Sequence, residues 1–325
     1  MTYTTEYLLE KITQYIDQLD LDHPPRELYL PVDYCLKNSG KRMRPLMTLL
    51  GCEMFGGNPE QALPAAVGLE MFHNFTLMHD DIMDQAPIRR GKPTVYTKWN
   101  ANTAILSGDV MFALSYQLMM KVPEKQLRKV LELFNQTVID VCEGQQYDMN
   151  FETLNEVSEA DYLNMIRLKT AVLPAACLKT GAIIAGAPDN EIQNLYLFGE
   201  FIGMAFQLKD DWLDVFGNEK VFGKKTGGDI LANKKTWLFI KAFEMADARQ
   251  KQVLSDAFSN RIPNPEQKIN AVKEVYTQLK LDELAREEME KYYTKGFDYL
   301  SRIKVPENAK SKLSELAKSL LDRAS

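Results

Sequence analysis

The chain has 325 residues, 45% apolar and 26% charged, with a formal net charge of −6. That composition is ordinary for a globular protein, and the negative balance argues against nonspecific nucleic-acid binding. Met1 to Glu10 carries acids and no apolar targeting core, and no segment approaches a run of about 18 apolar residues, so neither a secretory signal nor a membrane span is expected. Cys35, Cys52, Cys142 and Cys177 are scattered and form no C-x-x-C, which suggests neither a zinc site nor a disulfide framework and fits a reducing cytoplasm. Neither low complexity nor a short repeat divides the chain, and the expectation is a single domain over 1–325.

Helical periodicity begins with Leu8, Ile12, Ile16 and Leu19 and is broken at Pro24-Pro25. Gly40-Lys41-Arg42-Met43-Arg44-Pro45 stands at a loop-to-helix junction, where backbone N–H groups favour anions; in isolation it reads as a solvated basic turn. Gly56-Gly57-Asn58-Pro59 introduces a helix from near Gln61 to Asp84, followed by a loop from Gln85 to Pro93. Pro123 and Pro188 mark further breaks. A second long helix runs from near Asn190 to Asp214 into a glycine-rich loop, Gly217 to Gly228, holding Lys220, Lys224 and Lys225. Ile262-Pro263-Asn264-Pro265 precedes the C-terminal helices. No strand alternation and no Asn-Gly hairpin is visible, so the chain reads as all-α.

Each long helix ends in the same acidic pattern, Asp80-Asp81-Ile82-Met83-Asp84 and Asp210-Asp211-Trp212-Leu213-Asp214. The first and last Asp of each lie on one helical face about 6 Å apart and repel. Leu77, Met78, Ile82 and Met83 suggest partial burial, which raises the cost. A hard divalent cation is the natural compensation, since Mg2+ takes one or two carboxylates and completes its shell with water and phosphate. Arg89-Arg90-Gly91-Lys92 follows the first pattern and Lys224-Lys225-Thr226-Gly227-Gly228-Asp229 the second. Acids to hold metal and basic residues to reach the remaining phosphate oxygens together make a diphosphate site.

His79-Asp80-Asp81-Ile82-Met83-Asp84 with Arg89-Arg90-Gly91, and Phe206-Gln207-Leu208-Lys209-Asp210-Asp211-Trp212-Leu213-Asp214 with its Gly-Lys-Lys loop, resemble the paired motifs of the trans-isoprenyl diphosphate synthases, or polyprenyl synthetases. Within them the chain is similar to the farnesyl and geranylgeranyl diphosphate synthases. The match runs from the Gly40-Lys41 region to about Trp237. The resemblance implies an all-α, isoprenoid-synthase-type helical bundle around a deep central cavity, with the two motifs facing each other across its mouth. It implies Mg2+, three ions with bound diphosphate, on Asp80, Asp84 and Asp210 directly, with Asp81, Asp211 and Asp214 acting directly or through metal-bound water. Gln145 and Asp148 match an element near the metals. Arg89, Lys169, Lys225 and Lys234 would bind substrate diphosphate, the first three the allylic one, and Lys41, Arg44, His73 and Arg90 would hold isopentenyl diphosphate. Lys169, Thr170 and Gln207 match positions beside the allylic carbon. A homodimer in the cytoplasm, with no nucleic-acid partner, completes the expectation.

By the same resemblance, product length depends on the depth below Asp80. Phe75 and Thr76 lie roughly 6–8 Å back along the helix, a little more than one isoprene unit. Farnesyl synthases of the family commonly carry bulk at both positions, or one bulky residue and an enlarged first motif. Here Thr76 is small and the motif is not enlarged, so a C15–C20 product with a lean to C20 is expected; farnesyl diphosphate synthesis is the alternative. Phe72, one turn deeper, is a candidate floor, although aromatic residues at helical spacing serve equally as core. His73 taken alone reads as readily as a core histidine. Gly199 and Gly203 read as helix-packing positions. A His-Asp phosphohydrolase would need more histidines than His23, His73 and His79. A terpene cyclase normally lacks the second Asp-rich motif, and a noncatalytic regulatory subunit would have lost acids from one.

Overall fold

The computed structural model describes residues 3–38, 40–154, 156–217 and 226–322. Its order is α1 (Thr5–Asp17), α2 (Arg26–Lys37), α3 (Met43–Met54), α4 (Pro59–Met83), β1 (Ile88–Arg89), β2 (Lys92–Pro93), α5 (Val95–Lys98), α6 (Ala101–Met119), α7 (Glu124–Thr153) and α8 (Glu159–Ile166). A π-helical turn, Arg167–Ala171, then leads to α9 (Val172–Ile184) and α10 (Asp189–Phe216). The remainder is α11 (Gly228–Leu231), α12 (Trp237–Met245), α13 (Ala248–Phe258), α14 (Pro265–Gln278), α15 (Leu281–Arg302) and α16 (Glu307–Asp322). The all-α expectation holds, and no helix is long and apolar enough to cross a membrane among the described residues.

The chain divides into two units: Met1–Asn135 with Ala176–Leu195 and Val305–Lys312, and Gln136–Ala175 with Tyr196–Lys304 and Leu313–Ser325. In the first, α4 starts where Asn58 Oδ1 accepts the Glu60 N–H at 3.1 Å and Pro59 occupies the first turn. The run Ala65 to Asn74 is buried without interruption, as expected of a helix enclosed on all sides. α4 packs on α3 and α6. In the second unit a core of Tyr162, Leu208, Trp212, Leu238, Val272 and Tyr276, with their neighbours, lies under α10, α12 and α14.

One local feature departs from the sequence reading. The loop after α4 is a small antiparallel hairpin, Ile88 opposite Pro93 and Arg89 opposite Lys92. Its two-residue turn has Arg90 at φ 54° and Gly91 at φ 75°, the double positive-φ turn that matches strand twist. Arg in the place usually taken by Asn or Asp hid the signal. Tyr34 OH donates to Pro93 O at 2.8 Å and ties the hairpin to α2.

Candidate active site

In the first unit, the acidic pattern falls on the last turn of α4. Asp80 is half-buried, Asp81 buried and Asp84 an exposed C-cap, its N–H donating to Asp80 O at 2.8 Å. Three carboxylates thus stand at the negative end of a helix dipole, which sharpens the demand for positive charge. Arg89, held by the hairpin, meets Asp81 with its Nε 2.7 Å from Oδ1. Burial raises the Asp81 carboxyl above its usual range, and Arg89 opposes that rise.

The basic residues of this unit gather behind the pattern. The Arg90 guanidinium lies over the Gly40 backbone, so the hairpin and the Gly40-Lys41 loop adjoin. Lys41 is exposed. Arg44 is largely buried, its guanidinium pKa lowered by that burial, and its Nε lacks a hydrogen-bond partner. His73 is 8% exposed and held well below the ordinary imidazole value, first by burial and then by Arg44, Arg90 and Arg89. A neutral imidazole within the field of three guanidinium groups describes a place prepared for an anion.

The candidate length-setting residues lie in an aromatic cluster that includes rings absent from the sequence reading. Phe72 is fully buried against Phe134, ring centroids 5.5 Å apart, and Phe75 packs on Phe112 at 5.2 Å and His79 at 4.7 Å. Tyr116 joins Phe112 to Phe134, at 5.2 and 4.9 Å. Thr76 turns its hydroxyl back to His73 O at 2.9 Å.

In the second unit, one cavity is lined by Asp148, Lys169, Thr170, Gln207, Asp210 and Asp211, together with Asp229 and Lys234. Lys169 and Thr170 project from the π-turn, a feature common at functional sites. Gly144 of α7 lets that turn approach: a Cβ there would lie 2.3 Å from Lys169 N. Gly203 meets the turn likewise, a Cβ there coming 2.8 Å from Ala171 Cα. Lys169 Nζ pairs with Asp148. Thr170 Oγ1 donates to Gln207 Oε1 at 3.1 Å, and Gln207 Nε2 donates to Asp211 Oδ1 at 3.0 Å. The second oxygen of Asp211 accepts from Tyr162 OH. With its amide nitrogen committed to Asp211, Gln207 presents its oxygen beside Thr170.

Asp211 is pushed up to about 8 by burial, then by Asp229 and Asp210, against the hydrogen bonds of Tyr162 and Gln207. Asp229 is raised to about 6 by burial and by Asp214, with Lys234 at 3.9 Å pulling the other way. Asp214 does not line the cavity: its two oxygens accept the N–H groups of Gly228 at 3.1 Å and Asp229 at 2.9 Å, capping α11. Gln145 does not line it either. Lys220, Lys224 and Lys225 lie outside the described residues. Asp229 and Tyr162 were given no role from sequence. Asp229 closes the basic-loop segment, which was the available signal; Tyr162 carries none.

The donor chemistry fits Mg2+. The oxygens are carboxylates, with Asp84 and Asp210 exposed, and among the described residues no three Asp, Glu, His or Cys converge to cage a metal alone. That suits an ion completed by water and phosphate.

A model of the polyprenyl synthetase family matches residues 25–279. The chain is 43% identical over 231 residues to a geranylgeranyl diphosphate synthase of Methanosarcina mazei, covering 70% of this chain and 71% of that one. It is 38% identical over 281 residues to the enzyme of the same name from Sulfolobus acidocaldarius, covering 85% and 84%. A crystal structure of a geranylgeranyl pyrophosphate synthase, 39% identical, superposes with a TM-score of 0.94 over 100% of both chains. Two Asp-rich helix ends, each with cationic side chains beside it, and a match across most of the sequence place this chain in the polyprenyl synthetase family of prenyltransferases.

Proposed function

We propose that this chain condenses isopentenyl diphosphate with an allylic prenyl diphosphate and releases a C15–C20 product, chiefly the C20 geranylgeranyl diphosphate. The observation that carries the reading is the second-unit cavity, where acids and three lysines, Lys169, Lys234 and Lys235, line the same space as Thr170 and Gln207. Names of relatives at 38–43% identity support the C20 length, as does the small Thr76.

Asp80, Asp84 and Asp210 would hold Mg2+, three ions in all with the substrate. Asp81, Asp211 and Asp214, engaged by Arg89, Tyr162 with Gln207, and backbone N–H groups, act as anchors or through water. When bound, Mg2+ supplies charge compensation for the departing diphosphate. Arg89, Lys169, Lys225 and Lys234 meet substrate diphosphate, the first three on the allylic side; Lys41, Arg44, His73 and Arg90 hold isopentenyl diphosphate. The allylic C–O bond breaks with both electrons leaving on diphosphate, and cations fixed where that charge grows lower the barrier. The Thr170 hydroxyl and carbonyl and the Gln207 oxygen face the allylic cation. The isopentenyl π-bond attacks it, and a proton passes to diphosphate as the new double bond forms.

A cytoplasmic homodimer completes the reading, supported by four free thiols and by the exposed apolar residues of α6.

With Mg2+ and farnesyl diphosphate, purified protein should incorporate isopentenyl diphosphate into a C20 product. Asp80→Ala and Asp210→Ala should each lower kcat by about 10²-fold or more. Normal turnover in both variants would overturn the metal assignment, and a product no longer than C15 would overturn the length.

A further inference from the structure

Arg42 stands between Lys41 and Arg44, yet its side chain is spent on the protein. Its backbone lies at φ 54° and ψ 36°, the left-handed region that an L side chain rarely adopts, and it caps α3 without a side-chain hydrogen bond to the first turn. Such a conformation persists where its surroundings over-determine it. Nη1 lies 3.3 Å from Glu70 Oε1 of α4, and Nη2 donates to the Leu36 carbonyl near the end of α2. The pair is enclosed, with the Arg42 side chain 14% and the Glu70 side chain 4% exposed. The planar guanidinium therefore ties the turn after Gly40 to two helices at once, a fork that lysine does not offer. Glu70 precedes His73 by three residues and shares its helix face. The Glu70 charge also reaches the buried Arg44, where it opposes the effect of burial.

We propose that the Arg42–Glu70 pair is the positioning device of the isopentenyl diphosphate site: it locks the left-handed turn that presents Lys41 and Arg44 alongside His73 and Arg90. It sets affinity for the homoallylic diphosphate without touching it. The inference rests on the assignment of those four residues to that substrate.

The test pairs calorimetric titration of isopentenyl diphosphate into the apo protein with steady-state kinetics on both substrates. Glu70→Gln and Arg42→Gly should each weaken isopentenyl diphosphate binding and raise its KM by about tenfold, leaving kcat and the allylic KM within about twofold. Glycine adopts φ 54° without strain, so the loss in Arg42→Gly reports the missing anchor. Arg42→Gly also takes a cation away from a buried carboxylate; adding Glu70→Gln removes that charge, so the double variant should regain Tm over Arg42→Gly but not regain KM. Unchanged isopentenyl diphosphate affinity in folded Glu70→Gln, equal rises in both KM values, or recovery of KM together with Tm would overturn the proposal. Lys41→Ala separates the two failures. If it too leaves affinity intact, the substrate assignment falls and this inference with it; if it weakens binding while Glu70→Gln does not, positioning alone falls.

Discussion

The middle Asp of each motif is the buried one. Asp81 is buried on Arg89, and Asp211 is buried between Tyr162 and Gln207, while Asp84 and Asp210 are exposed. The repeated acids thus differ in environment, a distinction that i,i+1 spacing predicts only as directions about 100° apart around the helix. His73 shows the same dependence on surroundings. Sequence leaves it as a core or anion-binding histidine; the structure buries it within the field of three guanidinium groups, and its pKa is lowered well below the ordinary imidazole value. The sign of its linkage follows. The unfolded chain takes up a proton on this residue below about pH 6.5 while the folded chain does not, so the unfolded state binds more protons there and stability falls as pH falls. Against a His73→Gln variant, wild-type apo protein should therefore lose Tm more steeply from pH 7 down to 5, measured by scanning calorimetry. Parallel curves would mean that His73 titrates alike in both states.

Helices α4 and α10 were legible from periodicity and punctuation, with ends within two residues of Gln61, Asp84, Asn190 and Asp214, because Asn58-Pro59 and Pro188 are strong start signals. The hairpin and the π-turn were not. Arg90 adopts positive φ because Gly91 and the Tyr34 bond to Pro93 fix the loop, and the π-turn depends on close approach to Gly144 and Gly203. Both are set by contacts remote in sequence, which local propensity does not carry. The aromatic cluster on α4 and α6 was half legible: Phe72 and Phe75 share a spacing, but Phe112, Tyr116 and Phe134 come to them only in the fold. Phe72 is fully enclosed by these rings, whereas Thr76 is small and half-buried, so added bulk at 76 is the change that should shorten the tail space. Thr76→Phe is expected to shift the main product from C20 to C15 with total turnover within about threefold, since the change lies about 6 Å from Asp80. Chromatography of the product alcohols reads the outcome, and an unshifted C20 product would place the length control elsewhere.

Exposed apolar side chains on α6 bear on the assembly. Ile105 is 45% exposed, Leu106 60% and Met120, the C-cap, 61%, with Ala113 exposed between them. At 3.6 residues per turn, Leu106, Ala113 and Met120 fall along one stripe, with the exposed Asp109 and Ile105 along its edge. Scattered exposed leucines are normal on a monomer, and under the proposed homodimer this stripe is the surface a partner would cover. A second copy of the chain would satisfy it symmetrically, since an isologous contact would set the same α6 stripe against itself and needs about 800 Å² from each partner. Sedimentation equilibrium at micromolar concentration should return twice the chain mass of 37.2 kDa. Leu106→Glu places two carboxylates near the twofold axis, where like charges in an apolar interface are costly, and should shift the population to monomer. Because Leu106 is exposed on the single chain, its far-UV circular dichroism should stay unchanged, which separates dissociation from misfolding. A wild-type monomer at that concentration, or a Leu106→Glu variant that remains dimeric, would remove α6 as the contact.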